Sequence, residues 1–244
     1  MRYLYYCNST YQLLNAINLH YNRLFNNYED INNYEGDLLL LNVFNGAEEI
    51  YEILIKNNIF SKVFLGNRVY RQGRFHTINN IYDIVFPENL ICKENVIKKE
   101  DIYNRYNYIV TPKFSTIIAA VWRMNKYAKL QLFEDGIGAY HTTQLEPNSK
   151  TYKMLYKLFN FGRTFNDFEC LYLNEPSLYL GKNIKIRKIP KLCDEMLKDL
   201  SKIFSNFNFG VDKRLIWFDQ YIEDNIKATP KNFFIKIPPF DVLK

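Results

Sequence analysis

Residues 2–24 read RYLYYCNSTYQLLNAINLHYNRL, and this stretch decides the fold. Arg2–Cys7 is aromatic and apolar, the composition of a short strand. Three small polar residues follow, Asn8, Ser9 and Thr10. A hydroxyl at Ser9 or Thr10 is placed to accept one of the free N–H groups that open a helix. Leu13, Leu14, Ile17 and Leu24 then recur at helical spacing. The chain therefore opens strand, turn, helix.

The same alternation continues outward. Residues 37–43 form a continuous apolar run, as a strand buried on both faces requires. Residues 46–57 predict a helix with Ile50, Ile53 and Leu54 facing inward, and 62–65 a third strand. Residues 67–87 are polar, with a helix expected over 77–85. A strand over 106–111 runs through Pro112 and Ser115 into a helix over 116–125. A further strand, 129–133, ends at Glu134-Asp135-Gly136. Beyond it the pattern predicts a helix over 151–161, strands over 169–173 and 184–189, and a helix over 192–204. A linker is expected at 206–212. Leu215-Ile216-Trp217-Phe218 then opens a new unit, with 233–237 as its second strand. Strands alternating with helices argue for an α/β fold with a parallel sheet covered on both faces. Right-handed crossovers set all strand C-termini along one edge, where ligands of such sheets bind. The turns 7–12, 111–115 and 134–140 are thus expected to converge.

Composition narrows the function classes. The 244 residues carry a net charge of +6, with basic residues spread along the chain and only a mild cluster at 182–191. That balance reads as a solvated face, or as attraction to an anionic substrate or membrane surface. Dense basic stripes and a nucleic-acid-binding module are lacking, so no nucleic-acid partner is expected. No apolar run approaches the ~20 residues of a membrane span, and the N-terminus has no signal-peptide pattern. A cytoplasmic protein is expected, with peripheral work at the inner membrane face compatible with it. Cys7, Cys92, Cys170 and Cys193 lack metal-ligand spacing, and there are three histidines, so no metal site is expected. Cys7, at the end of the first strand, reads as a core thiol or as a nucleophile.

Two places carry candidate chemistry. The first is Leu132–Tyr140, LFEDGIGAY. Two adjacent acids at the end of an apolar strand are costly to bury unless paired, and Gly136 permits a tight turn at positive φ. Such a pair reads either as a base with its neighbour or as a capped strand-to-helix turn. The second is Cys7–Gln12, CNSTYQ, whose hydroxyl and amide groups suit an anion or a sugar as well as helix capping. No dinucleotide or ATP fingerprint is present.

Together these motifs resemble the bacterial sialyltransferases of glycosyltransferase family 52. The opening LYYCNSTYQLLNAINL is similar to that group's strand and T-P-Y-Q-like turn, and LFEDGIGAY to its D/E-D/E-G motif. Residues 215–220, LIWFDQ, are similar to the opening of its second domain. The resemblance implies a GT-B-like fold with two Rossmann-like domains, 1–205 on the acceptor side and 206–244 the start of a truncated nucleotide-binding domain. It implies inverting, metal-independent transfer from CMP-sialic acid to a capsule, exopolysaccharide or lipooligosaccharide acceptor. Asp135 would be the general base with Glu134 in support. Asn8, Ser9, Thr10, Gln12, Gly136 and Lys236 would bind substrate or donor, with no further cofactor, and a homodimer is compatible. The family's K-P-H-P-like donor motif has its nearest counterpart at 234–241, FIKIPPFD, which has no histidine. His141, after the acidic turn, reads as a surface or a cleft residue. A non-catalytic remnant or interaction protein of the same fold is the competing expectation.

Overall fold

The computed structural model describes residues 1–25, 33–67, 82–83, 85–94, 97–140, 154, 157–158, 162, 167–181, 184–192 and 194–203. These all belong to one unit, Met1–Asn208. The helices expected over 77–85 and 151–161, with His141, Cys193, Lys236 and everything from 204 onward, lie outside the described residues apart from isolated positions.

Seven strands form one all-parallel sheet: β1 Arg2–Cys7, β2 Glu35–Leu41, β3 Lys62–Gly66, β4 Tyr108–Thr111, β5 Lys129–Phe133, β6 Phe168–Leu173 and β7 Ile186–Lys188. Their spatial order is β3-β2-β1-β4-β5-β6-β7. The chain builds outward from β1 through β2 to β3, then returns to the other side of β1 with β4 and continues to β7. This is the Rossmann-like order, and the reversal between β1 and β4 is its switch point. The α-helices whose bounds fall among the described residues are α1 Thr10–Phe25, α2 Ala47–Lys56, α3 Lys99–Ile102, α4 Thr116–Met124 and α5 Asp194–Ile203, with a π-helix at Asn89–Glu94.

Both faces of the sheet are covered, which is why its strands read as unbroken apolar runs. Tyr3, Tyr5, Cys7, Leu38, Leu40, Phe133 and Tyr172 pack with residues of α1, α2 and α5. The alternate residues Leu4, Tyr6, Leu39, Leu41, Leu130 and Leu132 pack with Ile118, Val121 and Trp122 of α4. Strand period two thus divides one apolar segment between two cores. Ser9, not Thr10, caps α1: its Oγ accepts from Gln12 N at 3.3 Å and its carbonyl from Leu13 N at 3.0 Å. Ser115 caps α4 in the same way, through Ile118 N.

Several boundaries differ from the apolar pattern, those of β2 and β7 for identifiable reasons. β2 starts two residues early, because Glu35 and Gly36 pair with Arg2 and Tyr3 of β1. A ladder satisfies backbone groups whatever the side chain, so polar residues join it. β7 shrinks to three residues, pairing only from Ile186 to Lys188. Its Arg187 and Lys188 belong to a short basic terminal strand of the kind that resists further pairing.

The first core contains a buried charge. Arg23, on the last turn of α1, is fully enclosed. It donates to Tyr5 Oη at 2.5 Å, Tyr172 Oη at 2.8 Å and Gln131 Oε1 at 3.0 Å, and lies 4.6 Å from the centre of the Tyr3 ring. Gln131 relays outward by donating to Glu169 Oε2 at 2.8 Å. Tyr5 also meets Tyr34 Oη at 2.9 Å, and Tyr34 meets His20 Nδ1 at 2.7 Å. Ile59 O lies 2.6 Å from His20 Nε2 and can only accept, so the ring proton sits on Nε2 and Nδ1 accepts from Tyr34. Hydrogen bonds therefore run in one direction from Arg23 through Tyr5, Tyr34 and His20 to the Ile59 carbonyl. Burial holds His20 neutral, lowering its pKa from 6.5 to about 3.

Candidate active site

The switch point directs attention to the C-terminal edge of β1 and its neighbours on the β4 side. Three turns meet there. Gln12 Nε2, from the turn after β1, donates to Asp135 Oδ1, in the turn after β5. Lys113 Nζ, from the turn after β4, lies 3.7 Å from Asp135 Oδ2. Asp135 is thus the residue that joins the three. Asp37, another buried acid, belongs to the opposite edge, near the start of β2, where it accepts from Tyr106 Oη at 2.9 Å.

The two adjacent acids have different surroundings. Glu134 is 6 % exposed. Its Oε1 accepts from Tyr11 Oη at 2.5 Å. Its Oε2 accepts from Tyr140 Oη at 2.6 Å and from Asn174 N at 2.8 Å. Its backbone N–H bonds Tyr172 O at 2.9 Å and its carbonyl accepts from Asn15 Nδ2 at 3.2 Å. A buried carboxylate is tolerable with such partners, since bonds to a charged acceptor contribute about 1.5–3 kcal/mol each. The tyrosines retain their protons. Burial, then the bond to Glu134, pushes Tyr140 up to about 12 and raises Tyr11 further. Glu134 therefore locks α1, the end of β5 and the end of β6 together.

Asp135 has a 28 % exposed side chain. Gly136 follows with φ 94°, in the left-handed region, and turns the chain into the 3-10 turn Ile137–Tyr140. That bend lets Glu134 point inward and Asp135 reach the edge, although the two are adjacent. Asn8, Ser9 and Thr10 are half-buried at the same edge, between β1 and the first turn of α1. Gln12 is 1 % exposed, and its Oε1 accepts from Asn8 N at 2.8 Å.

Cys7 is fully buried. Burial, followed by the nearby Asp135, raises its thiol pKa well above the usual range. A thiol so disfavoured as thiolate is inert, so the nucleophile reading of Cys7 gives way to a core thiol. Among the described residues no group of three or more His, Cys, Asp or Glu side chains could hold a metal ion, and no helix is long and apolar enough to cross a membrane.

The acid pair, Gly136 and the Cys7–Gln12 turn were legible as site candidates. Lys113, Tyr11 and Tyr140 lie inside the three turns expected to converge, without a role that the sequence assigns to them. Asn15 and Asn174 are ordinary polar residues whose role depends on contacts between elements. No protein-family model matches the chain, and no curated protein matches it either.

Proposed function

We propose that the chain is a glycosyltransferase that moves sialic acid from CMP-sialic acid to a surface glycan, with Asp135 as general base. The observation that carries this reading is the division of labour in the acid pair. Glu134 has its carboxylate enclosed by three donors, whereas Asp135 stays partly open at the switch-point edge. A sugar hydroxyl is a weak nucleophile, and a positioned base contributes roughly 10²–10⁴-fold to its attack.

The acceptor O–H bond breaks and its proton passes to Asp135. The acceptor oxygen forms a bond to the anomeric carbon from the face opposite the CMP. The bond from that carbon to the phosphate oxygen breaks, and its electron pair leaves with CMP. Attack from the opposite face inverts the anomeric centre. Lys113 adds positive charge beside the site, where charge on the leaving phosphate needs stabilising. Asn8, Ser9 and Thr10 supply polar contacts at the same edge.

Two measurements test the proposal. Calorimetry on the full chain is expected to detect CMP and CMP-sialic acid at millimolar or lower concentration. Asp135→Ala is expected to abolish transfer and leave the fold intact. Undiminished transfer in that variant removes Asp135 as the base. Absence of any response to either nucleotide favours the non-catalytic reading of the same fold.

A further inference from the structure

Gln12 lies beneath Asp135 with both ends of its amide committed to the protein. The Asn8 N–H can only donate, so the atom it meets at 2.8 Å is the amide oxygen of Gln12. The amide nitrogen is thereby turned toward Asp135 Oδ1. The backbone of Gln12 is held as well, through its N–H to Ser9 Oγ. Gln12 itself is buried, and the next residue, Leu13, is fully enclosed. Buried and bonded at both ends of its amide, Gln12 has little room to rotate.

We propose that Gln12 is a positioning residue, which fixes the Asp135 carboxylate through Oδ1. The inference rests on the reading of Asp135 as base. Base catalysis depends on the placement of the carboxylate as well as on its basicity. A misplacement of about 1 Å can cost roughly 10²-fold. The oxygen on the Asn8 side and the nitrogen on the Asp135 side make the residue directional. Glutamate in its place would keep the first bond and replace the second with a like charge.

The test begins with the unmodified full chain. In a ¹H–¹⁵N spectrum the Gln12 side-chain amide resonances are expected to shift as Asp135 deprotonates, and to stay still in Asp135→Asn. Resonances indifferent to Asp135 in the wild type overturn the proposal without any Gln12 variant having to fold. Transfer kinetics supply the second arm. Gln12→Glu is expected to move the acid limb of the pH–rate profile to higher pH. It should lower kcat by about 10–100-fold, with KM for CMP-sialic acid changed less than about threefold. An unmoved acid limb, or a loss confined to KM, overturns the positioning role. If the amide follows Asp135 but the wild type shows no transfer, the hold on Asp135 stands and the base reading falls.

Discussion

The substitution Gly36→Ala adds one methyl group to the second residue of β2, in a place already occupied. An ideal Cβ there would lie 2.4 Å from His20 Nδ1, 2.6 Å from Tyr34 Oη and 2.9 Å from His20 Cε1. The obstruction is steric, since Gly36 is not among the positive-φ residues. The neighbours cannot yield easily. His20 is tied at both ring nitrogens, at 2.7 Å to Tyr34 and 2.6 Å to Ile59 O, and its ring centre is 4.3 Å from that of Phe60. Making room breaks those two bonds, at about 1 kcal/mol net each, and overpacks the core at about 1–3 kcal/mol. The expected loss is about 3–5 kcal/mol, a large share of the ~5–15 kcal/mol of a typical domain. Urea unfolding followed by circular dichroism reads it directly, and Tm should fall by roughly 10 °C. A double-mutant cycle isolates the cause. In a His20→Ala background the imidazole is gone and only the Tyr34 hydroxyl still meets the methyl, so Gly36→Ala should cost at least about 1 kcal/mol less than in the wild type. A similar cost in both backgrounds, or a loss under about 1 kcal/mol in the wild type, would refute the steric argument.

Folded-state stability is expected to fall on acidification because of His20. The native pKa is about 3 against 6.5 for the free side chain, so the unfolded chain takes up the proton first. The contribution is complete above pH 6.5 and is lost as pH drops toward 3, roughly 2 kcal/mol of it between pH 6.5 and 5, and His20→Gln should flatten that window in pH-dependent urea titrations. The acid pair should separate stability from activity. Glu134→Gln sets an NH₂ group either against the Tyr11 hydroxyl or against the Tyr140 and Asn174 donors, and is expected to cost about 2–4 kcal/mol in urea unfolding. Asp135→Asn should cost under about 1 kcal/mol there and remove transfer, and equal stability losses would contradict the division of roles. Thiol labelling at pH 8 should modify Cys92, which is partly exposed, well before Cys7 or Cys170, which are buried. Early modification of Cys7 in the native protein would contradict its core placement.

Sequence alone determined the strand-and-helix alternation, the glycine turn and the placement of the acid pair at a strand end. Those are local properties, set by side-chain periodicity and by backbone freedom within a few residues. The convergence of the three turns also followed, because parallel strands joined by right-handed crossovers have one C-terminal edge. Tertiary structure alone decided which acid is enclosed and which is open. The donors to Glu134 come from positions 123, 40 and 6 residues away, and no local pattern distinguishes Tyr11 or Asn174 from other polar residues. Burial of Arg23 and the need for Gly36 have the same origin. Arg23 is held inside by tyrosines of β1 and β6, and a strand glycine is required because His20 and Tyr34 fold over it. Periodicity tells a residue which face it occupies. The partner waiting on that face is chosen only when the chain closes on itself.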